Sequence, residues 1–234
     1  MHLIDLSTKH LPSETERLVA TAERLGDPDV RAASLCAGWT RGHVLTHLAR
    51  NADALSRVCA AVLTGEPDTM YDSAEARDAD IEAGAGRPAA ELASDVRTTA
   101  ASLAPQISRL GVGHVGTTVE RVPGGQLISA ERVPFMRLRE VVWHHVDLDA
   151  GYGFAETPED LVHLFLEDMV ARLASSDGAP GLEIRTDEGD EWIVGDGGAT
   201  IAGPRWGVLL WLARGRIDGL TAPGTALPQL PFGG

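Results

Sequence analysis

Two stretches of the chain place imidazole and carboxylate groups at spacings that suit a divalent cation. In "LCAGWTRGHVLTHLARNADAL", residues 35–55, His43 and His47 stand about one turn apart behind a helix start at Thr40. At about 100° per residue, counted from His43, the residues Val44, Leu48, Leu55, Cys59 and Val62 fall at roughly 60° to 160° and form an apolar arc. His47 falls at about 40° and borders that arc, whereas His43 lies further toward solvent. His47 is therefore the inward-facing ligand candidate, and Asn51 follows it one turn later on nearly the same face. In "RLREVVWHHVDLDAG", Glu140 and His144 share a helical face about 40° wide, while His145 is turned about 100° away from His144. Joined by His47 from a facing helix, this pair would make three N/O ligands with a fourth position open, the usual catalytic zinc arrangement. Spacing alone leaves a second reading open, since Glu and His on adjacent turns also serve as an exposed side-chain interaction.

Four helical segments are predicted to position these groups. The first, "PSETERLVATAERLG", opens with Pro12 and Ser13 and closes at Gly26; the second runs from Thr40 to about Thr64. The third starts near Pro88 and ends close to Leu110, and the fourth spans Val133 to Ala150. Between them, "GEPDTMYDSAEARDADIEAGAGR" reads as a polar connection and "GVGHVGTTVERVPGGQLISAERV" as an irregular or hairpin-like crossing. Four helices of this length imply a bundle. Beyond "GYGFAETPED" the pattern changes to a helix over residues 158–174, the β-like runs "GLEIRT", "EWIVG" and "ATIAG", and a last helix, "PRWGVLLWLARGR". The expected class is α+β, with a four-helix bundle over residues 1–152 and a small α+β domain over 153–234. The tail "APGTALPQLPFGG" is expected to lie extended on the surface.

Composition restricts the partners. A chain of 234 residues with 44% hydrophobic residues can bury a sizeable core, and its formal charge of −14 argues against nucleic acid or an anionic membrane as partner. A small anionic substrate then needs a local cluster of arginines, and Lys9 is the only lysine; biased base composition of the coding DNA gives the same pattern. Cys36 and Cys59 lack CxxC spacing, so neither a disulfide framework nor a cysteine zinc site is expected, which fits a reducing cytoplasm. Neither cysteine is expected at a ligand position, and Cys59 belongs to the packed arc. No export signal or run of about 18 apolar residues is evident, so a cytoplasmic protein is expected; a monomer is the expected state, although the sequence does not give oligomeric state. Trp39 is expected to staple the second helix start, with Trp143, Trp206 and Trp211 in the core. His2, His10, His114 and His163 are expected at the surface or in loops.

The segments "GWTRGHVLTHLARNADAL", "MYDSAEAR" and "MRLREVVWHHVDL" resemble, in order and spacing, the mycothiol-dependent maleylpyruvate isomerase family. That resemblance covers nearly the whole chain and implies a DinB-like metal-binding four-helix bundle followed by a small C-terminal α+β domain. It implies zinc ligands at His47, Glu140 and His144, in agreement with the helical faces. The implied activity is conversion of maleylpyruvate to fumarylpyruvate in gentisate degradation, with zinc and with mycothiol as thiol cosubstrate. In that chemistry the thiolate adds to the cis alkene, the resulting single bond rotates, and elimination restores the alkene as trans. The resemblance also marks Arg77, in "YDSAEAR", and either Arg214 or Arg216, in "WLARGRIDGL", as groups for a dicarboxylate substrate; Asn51 is a further substrate-binding candidate, and the residues contacting mycothiol are not indicated. Two other readings stay open: mycothiol S-transfer to a different electrophile, and a non-catalytic metal-binding regulatory protein.

Overall fold

The computed structural model describes residues 3–221 and 227–231. The chain divides into two compact units, Met1–Ala150 and Gly151–Gly234. In the first, the helices are α1 (Leu3–Arg24), α2 (Asp27–Arg31), α3 (Arg41–Thr64), α4 (Ala74–Ala85), α5 (Ala89–Ile107) and α6 (Val133–Asp147). The four long ones form the bundle: α3 packs against α5 and α6, and α1 against α6 and α5. Leu18 of α1, Leu48 and Leu55 of α3, Leu92 and Val96 of α5, and Leu138 and Val142 of α6 are fully buried between them. These are the apolar stripes that amphipathic helices turn inward.

Three features differ from the sequence reading. Helix α1 begins at Leu3, not at Pro12, and carries Pro12 inside it. The buried row Leu6, Leu11, Leu18 and Ala22 runs through both halves, so packing outweighs the hydrogen bond that the proline removes. The polar connection after α3 contains α4, whose start is capped by the Ser73 hydroxyl accepting from Ala76 N at 3.0 Å. Helix α6 stops at Asp147 and is followed by Asp149 in a left-handed conformation, φ 46°.

Two glycines allow α4 to lie close on α3. A Cβ at Gly42 would stand 2.3 Å from the carbonyl oxygen of Ala85, and one at Gly84 would stand 2.5 Å from Cγ2 of Thr46. The crossing between α5 and α6 forms an antiparallel pair of β1 (Thr118–Glu120) and β2 (Leu127–Ser129). The chain beside β1 extends the pairing: Met70 N donates to Glu120 O and Tyr71 N to Arg121 O, each at 2.9 Å. Tyr71 is thereby tied through its backbone to the end of β1, just before α4.

The second unit contains α7 (Glu159–Ala174), β3 (Leu182–Thr186), β4 (Glu191–Val194), β5 (Ala199–Gly203) and α8 (Arg205–Arg214). Its sheet has the order β4-β3-β5, with β3 antiparallel to β4 and parallel to β5. Alternate residues Leu182 and Ile184 of β3 and Ile201 of β5 join Leu161 and Phe165 of α7 and Trp211 of α8 in a separate core. The architecture is α+β. Most of the expected surface tail, residues 222–226 and 232–234, lies outside the described residues. No helix among the described residues is long and apolar enough to cross a membrane.

Candidate metal centre

The two histidines of α3 have different environments. His43 sits at the third position of the helix, where its backbone N–H meets the Thr40 hydroxyl at 3.4 Å and its ring Nδ1 lies 3.2 Å from Thr40 N. Its Nε2 meets Glu82 of α4 at 3.1 Å, and its ring stacks on Trp39. His43 therefore caps α3 and ties α4 down. His47, one turn on, is 4% exposed, and its Nε2 lies 2.8 Å from Oε2 of Glu140 on α6.

Glu140 also meets Nε2 of His144 at 3.3 Å, and the rings of His47 and His144 stand edge to face with centroids 4.6 Å apart. One donor atom from each of His47, Glu140 and His144 lies within 4.8 Å of the others. Two imidazoles and a carboxylate of this convergence match the three-ligand catalytic zinc pattern, with the fourth position left to a thiol or substrate. The donor chemistry fits. Burial pushes the Glu140 carboxyl upward, yet hydrogen bonds from His144 and His47 outweigh it and hold the group well below the usual carboxylate range. Burial lowers His47, opposed by its hydrogen bond to Glu140. His144 is likewise lowered by burial but is raised well above its ordinary value by Asp147, Cys36 and Glu140.

Behind the ligands stands a group that helical spacing did not reveal. Nδ1 of His144 lies 2.8 Å from Oδ2 of Asp147, which is 0% exposed. Cys36 Sγ, 3.1 Å from the same oxygen, donates to it, and Leu35 N donates to the Asp147 carbonyl at 2.9 Å. Cys36, Asp147 and His144 thus form a second convergent set sharing His144. Neither cysteine is expected at a ligand position from the sequence, yet Cys36 belongs to a convergent set that could hold a metal ion; it lies in the loop before α3, where no periodicity applies. Asp147 stands three residues after His144, a spacing that places it on the same helical face and so offered a signal. Cys59 is buried in the core, and burial raises its thiol to about 11. His145 points away from the ligands, with Nε2 2.8 Å from Thr21 Oγ1 on α1.

Arg77 lies on α4, not in a loop, and its Nη2 is 3.3 Å from Nδ1 of His47. Its Nη1 donates to Asp78 at 2.6 Å, and its guanidinium lies 5.9 Å from the Tyr71 ring centroid, with Arg121 on that ring at 5.6 Å. Burial raises the Tyr71 hydroxyl, opposed by the Arg77 charge and by hydrogen bonds with Arg77 and Asn51. Asn51 Oδ1 accepts from Nη1 of Arg137 at 2.8 Å. In the second unit, Arg214 is half-buried at the end of α8 and donates to Ala213 O at 2.6 Å; Arg216 is exposed and pairs with Asp218 at 2.9 Å. Three smaller expectations change: Trp143 and Trp206 are half-buried, Trp143 carries the Arg139 guanidinium at 5.8 Å, and His10 is buried on α1. Trp39 is half-buried, its ring 5.5 Å from that of His47.

The first unit is a four-helix bundle in which His47, Glu140 and His144 converge as a group that could hold a metal ion, and the second is a small α+β unit. The chain belongs to the mycothiol maleylpyruvate isomerase N-terminal domain family, whose sequence pattern it matches over residues 11–149. A crystal structure of the mycothiol-dependent maleylpyruvate isomerase superposes with a TM-score of 0.88 at 24% identity, covering 99% of this chain and 97% of that one. A histidine-to-alanine mutant of that enzyme gives the same values, and both likenesses establish the fold. No curated protein matches the chain significantly.

Proposed function

We propose that this protein is a mycothiol-dependent maleylpyruvate isomerase that converts the cis alkene to fumarylpyruvate in gentisate degradation. The observation that carries the reading is the convergence of His47, Glu140 and His144 within 4.8 Å, with the Arg77 guanidinium against His47. A zinc ion held by those three residues would lower the pKa of a bound thiol and so supply thiolate at neutral pH. The cosubstrate provides the sulfur, since Cys59 is packed in the core and Cys36 is committed to Asp147. Addition of mycothiol thiolate to the alkene forms a C–S bond and moves the π electrons onto the conjugated carbonyl as an enolate. Rotation about the new single bond and return of those electrons expel the thiolate and leave the trans alkene.

The chain's own residues have separate tasks. Asp147 accepts a hydrogen bond from Nδ1–H of His144 and so turns Nε2 toward Glu140. A guanidinium can only donate, so the Arg77 contact requires a lone pair on Nδ1 of His47. Were His47 to hold zinc through Nε2, its imidazole proton would sit on Nδ1 and Arg77 would be free to bind an anion. In this reading it takes one substrate carboxylate, and Tyr71 and Asn51 border that position. The protein is read as cytoplasmic and monomeric, with the two units divided near residues 151–157.

The deciding experiment follows maleylpyruvate consumption and fumarylpyruvate formation by the zinc-analysed protein, with and without mycothiol. Mycothiol-dependent formation of fumarylpyruvate is expected. A stable mycothiol adduct instead would turn the reading to S-transfer, and inertness of the zinc-loaded protein toward both would turn it to a non-catalytic role.

A further inference from the structure

A second concave site lies in the first unit, between α1 and α5. The cavity measures about 540 Å³, within the range of small-molecule pockets, and its walls are mainly apolar, including Leu11, Val19, Ala100, Leu103 and Ile107. None of His47, Glu140, His144 or Arg77 lines it. At the rim Glu23 is neutralised by an ion pair with Arg97, and Glu16 is exposed to solvent.

Arg137 of α6 belongs to the same lining although its side chain is among the most deeply buried in the protein, at 2% exposure. Its Nη1 donates to two neutral acceptors, Leu48 O at 2.9 Å and Asn51 Oδ1 at 2.8 Å. Its Nη2 is buried with no hydrogen-bond partner. The charge of Glu140, three residues on in α6, offsets part of its burial, but Nη1 meets only neutral acceptors and one buried nitrogen stays unsatisfied, which is costly. Burial lowers its pKa to about 10, so it stays protonated at neutral pH. An apolar trough that reaches a charged donor calls for a ligand with a hydrocarbon body and an anionic acceptor at one end.

We propose that the α1/α5 groove binds a small amphipathic carboxylate, its hydrocarbon chain along the two helices and its carboxylate directed to Arg137. None of His47, Glu140 and His144 lines the groove, although Arg137 also bonds Asn51, and the proposal does not depend on the isomerase reading. Among simple ligands a medium-chain fatty acid has this form.

The test uses the zinc-loaded full chain with octanoate as probe and octan-1-ol as the uncharged comparator, followed by calorimetry. Octanoate is expected to bind with one-to-one stoichiometry and at least about tenfold more tightly than octanol, the scale of one charge-assisted hydrogen bond. Arg137→Met should remove that preference. Ala104→Trp, which fills the groove from the exposed face of α5 and leaves Arg137 in place, should weaken octanoate at least about tenfold while zinc content and Tm stay at wild-type values. It keeps the test decisive if Arg137→Met does not fold. Octanoate should bind His47→Ala as it binds the wild type. No octanoate binding, equal binding of octanoate and octanol, unchanged affinity in Ala104→Trp, or loss of binding in His47→Ala would each overturn the proposal.

Discussion

Asp147 and His144 are joined by a 2.8 Å contact between Oδ2 and Nδ1 at a carboxylate with no solvent exposure. Partners of this kind set the tautomer and direction of a metal-binding imidazole and contribute about 10- to 100-fold to affinity. Asp147→Asn, which keeps the shape and removes the charge, is expected to weaken zinc binding by about that factor. Competition with a chromophoric chelator measures it, and an unchanged dissociation constant would show that the contact does not support the metal.

His43 and His47 provide an internal control. His47→Ala should abolish most zinc binding and all turnover, because it removes one of three ligands. His43→Ala should retain zinc, because that ring points to Glu82 and Trp39. Metal analysis after dialysis decides; equal zinc loss in both variants contradicts the ligand assignment.

Arg77→Ala should lower kcat/KM for maleylpyruvate roughly tenfold to 150-fold, the equivalent of about 1.5 to 3 kcal/mol for a charge-assisted contact. Arg77→Lys should recover only part of this, since an ammonium lacks the planar fork. Steady-state kinetics with zinc measured in parallel separate the two roles: near-wild-type kcat/KM removes Arg77 from substrate binding, and lost zinc assigns it to supporting His47.

His145 predicts an acid sensitivity of the bundle itself. It is 2% exposed, and burial, with the charges of Arg24 and Arg17, lowers its pKa to about 3. Below its ordinary value of about 6.5 the unfolded chain takes up a proton that the folded chain refuses. Stability therefore falls as pH drops from about 6.5 toward 3, by up to about 1.4 kcal/mol per pH unit from this group. His145→Gln, which retains a partner for Thr21, should show a flatter decline. Thermal unfolding between pH 4 and 7 provides the comparison, and parallel curves for the two proteins would assign the acid sensitivity to other groups.

The helical period alone distinguished His47 from His43 and placed Glu140 and His144 on one face with His145 turned away, because a 3.6-residue repeat against an apolar stripe determines which side chains face inward. The same patterning read the three C-terminal strands and the two helices around them, whereas for the crossing that forms β1 and β2 it gives only an irregular or hairpin-like path. It could not reveal α4, where only Ile81 and Ala85 are buried and the rest resembles a polar linker. That helix is held by the Ser73 cap and by close contacts at Gly42 and Gly84, and these come from tertiary packing. Arg77 consequently stands against His47, 30 residues away, through the placement of a helix and not through any motif in its connection. The bond from Cys36 to Asp147 spans 111 residues and joins a loop to a helix end, so no local period encodes it. Local physics sets the face of each helix, whereas the docking of α3, α4 and α6 decides which faces meet.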